Sequence, residues 1–248
     1  MTERLDRILS HHGFGTRKEV RKYLAQGRVT IDEGEVVKDC SFHLNPDEHR
    51  LFVDGTEIIL KENVYLMMNK PQNVVCANKD GLHSTVFELL SQEYQHSFLG
   101  GNLHLVGRLD IDTEGLLLFT TDGTLTHRLL SPKTHVPKTY LVHLEKACDA
   151  AEQARIASLF KEGIFCPHEG NEPGFTAQSA QVVFDSETVA RLSICEGKYH
   201  QVKRMFAAAG NKVVFLKRIS MAELKLDESL KAGEYRELTE QELKLLKN

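Results

Sequence analysis

The apolar positions change period along the chain. Leu5, Ile8 and Leu9 recur at i, i+3 and i+4, which predicts one buried face on a short helix. Gly13 and Gly15 break that run. Thr16-x-x-Glu19 then has the form of a capping box, in which the threonine side chain accepts a backbone N–H and the glutamate reaches back to the threonine N–H. Val20 and Leu24 give the second helix its apolar side, and Gly27 stops it. Short β signals follow at 28–31, 35–37 and 51–53, separated by turn residues at 32–34, Asn45-Pro46 and Asp54-Gly55. Two helices and a small β element make one compact module over residues 1–60, and Lys61-Glu62-Asn63 reads as a linker into a second region, 61–248.

In the second region the pattern predicts strands at 64–68, 103–106, 116–120, 138–144, 178–184, 188–194 and 212–216. It predicts helices after Thr85-x-x-Glu88, from Asp122 to Leu130, and at 149–161, 200–209 and 239–246. The order is strand-rich and irregular, so the fold class is α+β rather than a repeating βαβ array.

Composition narrows the function. The chain has 248 residues, of which 41% are hydrophobic, enough for a sizeable core. No apolar run approaches the roughly 18–20 residues that cross a bilayer, and the charged start MTERLDRILS lacks the apolar stretch of a secretory signal. The five cysteines are scattered without C-x-x-C spacing, as free thiols in a reducing compartment would be. The twelve histidines show no paired-ligand spacing, so no metal site is expected.

The formal net charge of −4 argues against a uniformly basic nucleic-acid binder, but the charge is uneven. Residues 4–28 carry a net charge of +5 and so do residues 196–218, with acidic stretches between them. On charge alone, two solvated helix faces and two contact surfaces for one polyanion are equally open.

The densest polar cluster is Gly107-Arg108-Leu109-Asp110-Ile111-Asp112-Thr113-Glu114-Gly115, set between two apolar strand candidates. A solvated turn is one reading. A metal-binding acidic cluster is another, although Mg²⁺ sites usually add phosphates or further carboxylates, and nothing nearby supplies them. The D-x-D-T string also appears in haloacid-dehalogenase-type phosphatases, but Glu114 stands where their motif needs Thr or Val.

The same string, continued to Leu116, resembles the catalytic motif of bacterial rRNA pseudouridine synthases. Arg4-Leu5-Asp6, Thr16-Arg17 and Gly27-Arg28-Val29 resemble an S4 RNA-binding domain. Met68-Asn69-Lys70-Pro71 is similar to the strand that opens that family's catalytic domain, and Lys138-Thr139-Tyr140 to its tyrosine motif. The run from Glu196 to Phe206 is similar to its third active-site motif. Tyr199-His200-Gln201-Val202-Lys203-Arg204-Met205, with Gly233-Glu234-Tyr235-Arg236 downstream, points to the branch typified by ribosomal small-subunit pseudouridine synthase A.

The resemblance implies an S4-like domain followed by a catalytic domain built on a mixed, mainly antiparallel sheet. It implies isomerisation of a uridine in 16S rRNA, or in a small-subunit assembly intermediate, by a monomeric cytoplasmic enzyme without cofactor. The alternatives are the same reaction on 23S rRNA and a non-catalytic RNA-binding assembly factor. By resemblance Asp110 is the essential carboxylate, acting at C1′, at C6 or on the C2′ proton, with Lys203 as its basic partner. Tyr140 would stack on the extruded base. Arg108, Leu216, Arg204 and Lys70 are expected at the substrate, with a turn-forming role for Lys70 and core packing for Leu216 equally open. Arg4, Arg17, Lys18, Arg21 and Arg28 are expected to meet RNA phosphates, Arg17 and Arg21 from one helix face.

Three departures from the family pattern bear on turns. Asn73 stands where glycine is usual, Met221-Ala222 replaces a glycine pair after Arg218-Ile219-Ser220, and Glu33 lengthens the first β turn. Asn tolerates left-handed backbone angles, so the first turn is expected to survive, while the second is in doubt.

Overall fold

A computed structural model describes residues 2–12, 14–32, 34–45, 48–58, 63–91, 94 and 103–247. It divides into two compact units, residues 1–64 with 87–104 and residues 65–86 with 105–248. The linker expected at 61–63 falls mostly outside the described residues, as do Gly13, Glu33 and Pro46. Of the segment 87–104, which the sequence places in the second region, the described residues 87–91, 94, 103 and 104 group with the first unit.

In the first unit, α1 (Leu5–His11) and α2 (Arg17–Ala25) form where the periodicity placed them. Both halves of the capping box are made: Thr16 Oγ1 accepts from the Glu19 N–H, and the Thr16 N–H donates to Glu19 Oε2 at 2.8 Å. Strands β1 (Glu3–Arg4) and β4 (His43–Leu44) pair with each other. Strands β3 (Glu35–Val36), β2 (Val29–Ile31), β5 (Leu51–Val53) and β6 (Thr56–Ile58) form a sheet in that order. Leu5, Ile8 and Leu9 pack with Val20 and Leu24 and with alternate residues of β2 and β5. Burying about 100 Å² of apolar side chain is worth roughly 2–3 kcal/mol, so these five helical residues are what dock α1 and α2 on the sheet.

The second unit is built on one sheet running β13 (Gln181–Phe184), β14 (Val189–Ile194), β10 (Lys138–Leu144), β15 (Val213–Met221), β9 (Glu114–Thr120), β7 (Tyr65–Lys70) and β17 (Tyr235–Glu237). Neighbours are antiparallel except β15 and β9, which run parallel. The expected α+β, mainly antiparallel architecture is therefore the observed one. The helices of this unit are α3 (Gly123–Leu130), α4 (Ala150–Glu162), α5 (Gln201–Ala208) and α6 (Glu240–Lys247). Asp122 caps α3 by accepting the Leu125 N–H at 2.9 Å. Two small strands, β11 (Phe165–Cys166) and β12 (Phe175–Thr176), pair between α4 and β13.

One expected helix is absent. Thr85-x-x-Glu88 opens no helix; Thr85 instead forms a β-bridge with Val75, and residues 86–89 are turns. Strand β7 also runs two residues further than expected, through Lys70. Both residues standing in for glycine adopt the conformation glycine would have: Asn73 has φ 63° and Ala222 has φ 51°. The second turn survives as the hairpin from β15 to β16 (Leu224–Lys225), held by the Ala222 N–H donating to the Pro137 carbonyl at 2.8 Å. Alanine holds that angle against a cost of about 1–2 kcal/mol. Among the described residues no helix is long and apolar enough to cross a membrane.

Candidate active site

The loop 107–115 enters β9 through Gly115, whose φ is 101°. A Cβ there would run into the carbonyl of Arg218 on the parallel neighbour β15, so only glycine lets the two strands pair at Gly115 and Arg218. Tyr140 lies opposite Arg218 on the other side of β15. The register therefore lines up Tyr140, Arg218 and Gly115 across three adjacent strands, with Asp110 in the loop just before the last.

Lys70 shapes the loop from beneath. Its side chain is fully buried, and its amine donates to the carbonyls of Pro71, Asp110, Ile111 and Thr113 at 2.9–3.3 Å. Burial pulls its pKa down, and the charges of Cys76, Asp112, Asp110 and Glu114 oppose this. An amine so enclosed cannot reach a phosphate. This corrects the substrate contact expected of Lys70: it positions the loop that carries Asp110. The Asn73 N–H adds a tie to the Ile111 carbonyl at 2.8 Å, made possible by its left-handed backbone.

Above the loop stands α5. Lys203 lies 3.3 Å from Asp110 Oδ2 and 2.6 Å from Asp112 Oδ1, so the expected cation meets the expected carboxylate and a second one besides. Burial disfavours the charge on Lys203, but its bond to Asp112 and the charges of Asp110 and Asp112 outweigh this and raise its pKa. Asp112 is the mirror case. Burial pushes it up, and Lys203 more than compensates, leaving its carboxyl below the usual range. His200 caps α5 with φ 49°, and its Nε2 lies 4.0 Å from Asp110 Oδ1. Its Nδ1 lies 3.1 Å from Glu169 Oε1.

The other expected residues divide. Arg108 is exposed beside Asp110 and makes no ion pair with the described residues. Tyr140 is 8% exposed, and Leu216 is buried on the same face of the sheet, opposite Val142. Arg204 is turned into the protein. Its buried guanidinium donates to the carbonyls of Tyr199, Pro167 and Pro173 and stacks over the Phe175 ring, so it ties the β11–β12 hairpin to α5 rather than contacting RNA as expected. Arg218 is buried as well, with Nε donating to the Leu116 carbonyl at 2.7 Å.

In the first unit Arg17, Lys18, Arg21 and Lys22 project from α2 into solvent. Arg4 makes a two-pronged contact with the fully buried Asp6. Burial raises the Asp6 pKa, and Arg4, helped by the charges of Arg17 and Arg21, overcomes this and lowers it. Arg28 pairs with Asp54 and sits 4.1 Å over the Tyr23 ring. Arg4 and Arg28 are thus partly committed within the unit, whereas the α2 cations are not.

Residues 64–208 match the family model described as RNA pseudouridylate synthase, and residues 3–49 match the S4 domain. The chain belongs to the RNA pseudouridine synthase family. It is 47% identical to an uncharacterized RNA pseudouridine synthase, YtzG, of Bacillus subtilis, with 98% of each chain covered. It is 42% identical to ribosomal small subunit pseudouridine synthase A of Haemophilus influenzae, over 98% of this chain and 99% of that one, and 42% identical to the protein of that name from Escherichia coli. A crystal structure of a pseudouridylate synthase aligns over 98% of this chain and 99% of its own, with a TM-score of 0.66 and 38% identity.

For this pseudouridine synthase, sequence reasoning missed three participants in the geometry. In the sequence Asp112 stands only as one of the alternating carboxylates of a possible metal cluster or D-x-D-T string, and His200 only as part of a motif string; Glu169 carries no signal. Glu169 lies 31 residues from His200 in a turn with no pattern of its own, so no local signal announces it.

Proposed function

We propose that this RNA pseudouridine synthase acts on a specific uridine of 16S rRNA. The reaction breaks N1–C1′, turns the base and joins C5 to C1′. The observation that carries the reading is the Asp110 carboxylate, held at 3.3 Å from Lys203 in a loop that Lys70 fixes from below. Lys203 sets a positive charge directly beside the carboxylate that is to act as nucleophile or base. The target cannot react inside a paired stack, so it is extruded, with Tyr140 as the ring that receives it. The exposed cations of α2 hold the RNA by its phosphates without reading sequence.

The small-subunit target rests on identity over nearly the whole chain to proteins named ribosomal small subunit pseudouridine synthase A. The enzyme works in the cytoplasm as a monomer on rRNA or an assembling small subunit. Chemical mapping of pseudouridine in 16S and 23S rRNA after incubation, with naked RNA and with assembly particles, tests this reading. One new pseudouridine in 16S rRNA supports it. A product confined to 23S rRNA moves the target, and no product from any substrate removes the activity. Asp110→Asn should abolish the product while RNA affinity stays within a few fold; a variant with normal turnover refutes the role of Asp110.

A further inference from the structure

His200 has no part in the mechanism so far, yet its placement is specific. Its backbone sits at φ 49°, a strained angle for histidine that tends to persist where the surroundings demand it. Its side chain does not cap α5. The ring instead points Nδ1 at Glu169 Oε1, 3.1 Å away. An ionised carboxylate only accepts, so in the neutral ring Nδ1 carries the proton and Nε2 bears the lone pair. That lone pair faces Asp110 Oδ1 across 4.0 Å, too far for a direct hydrogen bond. The other carboxylate oxygen is occupied by Lys203. Asp110 therefore has a fixed cation on one oxygen and a titratable ring across a gap from the other.

Glu169 is itself anchored. Its backbone exchanges two hydrogen bonds with Glu172 across the turn between β11 and β12, and Arg204 Nε lies 3.9 Å from its second oxygen. The charged groups around His200 are Asp110 and Asp112 from the loop, Glu169 from this turn, and Lys203 and Arg204 from its own helix. The Tyr199 ring stacks on it at 3.7 Å.

The isomerisation needs such a base. Once C5 has bonded to C1′, C5 still carries its original hydrogen. That proton must leave, its electron pair forming C5=C6, while the C6=N1 pair moves onto N1 and N1 takes up a proton. One proton travels from C5 to N1, and nothing is oxidised or reduced. We propose that His200, oriented by Glu169, is the base that takes the C5 proton; the inference rests on the pseudouridine-forming reading above. Neutral Nε2 accepts the proton, and the imidazolium, flanked by Asp110 and Glu169, passes it to N1 or to water.

The test is steady-state kinetics of His200→Gln and Glu169→Gln on rRNA carrying either hydrogen or deuterium at uridine C5. For His200→Gln, kcat should fall about 100-fold with KM within threefold, and a primary isotope effect should appear as C5 proton loss becomes limiting. Glu169→Gln no longer fixes the ring and should lower kcat about tenfold with KM unchanged, showing the same isotope effect. Glu169 is an exposed turn residue, so its variant carries the test if His200→Gln fails to fold. An unchanged kcat in either variant, or no isotope effect in His200→Gln, overturns the proposal. Wild-type protein that forms no pseudouridine overturns the parent reading together with this one, whereas active wild-type protein with an unaffected His200→Gln overturns this one alone.

Discussion

The two basic segments carry the same net charge and use it in opposite ways. In residues 4–28 the cations of α2 face solvent, and the apolar side of the helix alone is buried. In residues 196–218 three of the six cations turn inward. Lys203 is held between two carboxylates, Arg204 is bound to three carbonyls, and Arg218 is buried under the loop entry. The α2 cations leave their charge in solvent; Lys203, Arg204 and Arg218 use theirs inside the fold. A charge sum along a sequence cannot tell these apart, because the difference lies in what folds back against each cation.

The sharpest way to break the comparison is Lys203→Met. Removing the cation leaves Asp110 and Asp112 as two unneutralised carboxylates, and turnover should fall about 1,000-fold with RNA affinity little changed. A fall in affinity instead, measured by filter binding, would make Lys203 an RNA contact like those of α2. Next in size is Lys70→Met, which strands the Pro71 and Thr113 carbonyls, those of Asp110 and Ile111 keeping the Thr113 and Asn73 N–H, and should cost about 2–4 kcal/mol of stability. Urea unfolding of the variant measures this, and a loss below about 0.5 kcal/mol would refute the positioning role. The outward-facing group should respond differently. Arg17→Ala with Arg21→Ala should raise KM about tenfold, leave kcat alone and reduce the salt slope of binding by about 1.5. An unchanged slope would show that α2 does not meet phosphate.

Some of this was written locally and some was not. The S4-like helices were legible because an i, i+3, i+4 stripe and a capping box are complete within a few residues. The same box at Thr85 opens no helix, because the backbone there pairs with Val75, whose carbonyl takes the Val86 N–H. Asp110 and Lys203 were legible only through resemblance, being 93 positions apart in the chain. The burial of Arg204 and Lys70 was not legible, since a lysine or arginine in a motif reads as substrate-facing until its neighbours in space are known.

Two smaller effects sharpen the contrast beyond the basic segments. Arg236, in the acidic tail, is another inward cation, bridging Asp227 and Glu242. Bonds from Ser229 and Arg236 hold Asp227 at about 2, and Arg236 holds Glu242 at about 2. Both folded values lie below the unfolded ones, so their stabilisation is present above about pH 4.5 and is lost as pH falls toward 2. Thermal unfolding followed over that window should show a slope that Arg236→Met flattens. Smallest is Ala222→Gly, which relieves a left-handed alanine and should stabilise by up to about 1 kcal/mol. A lower melting temperature would mean that the hairpin turn is not strained.

The four bonds of Lys70 have a consequence for biosynthesis. The amine belongs to the first strand of the second unit to be made, and three of its four partners lie 40 to 43 residues later in the chain. Lys203 comes 91 residues after Asp112. A chain still being translated thus has α2 and its exposed cations long before it has a site. Asp110 meets its cation only once the stretch around Lys203 has emerged and folded back over the loop.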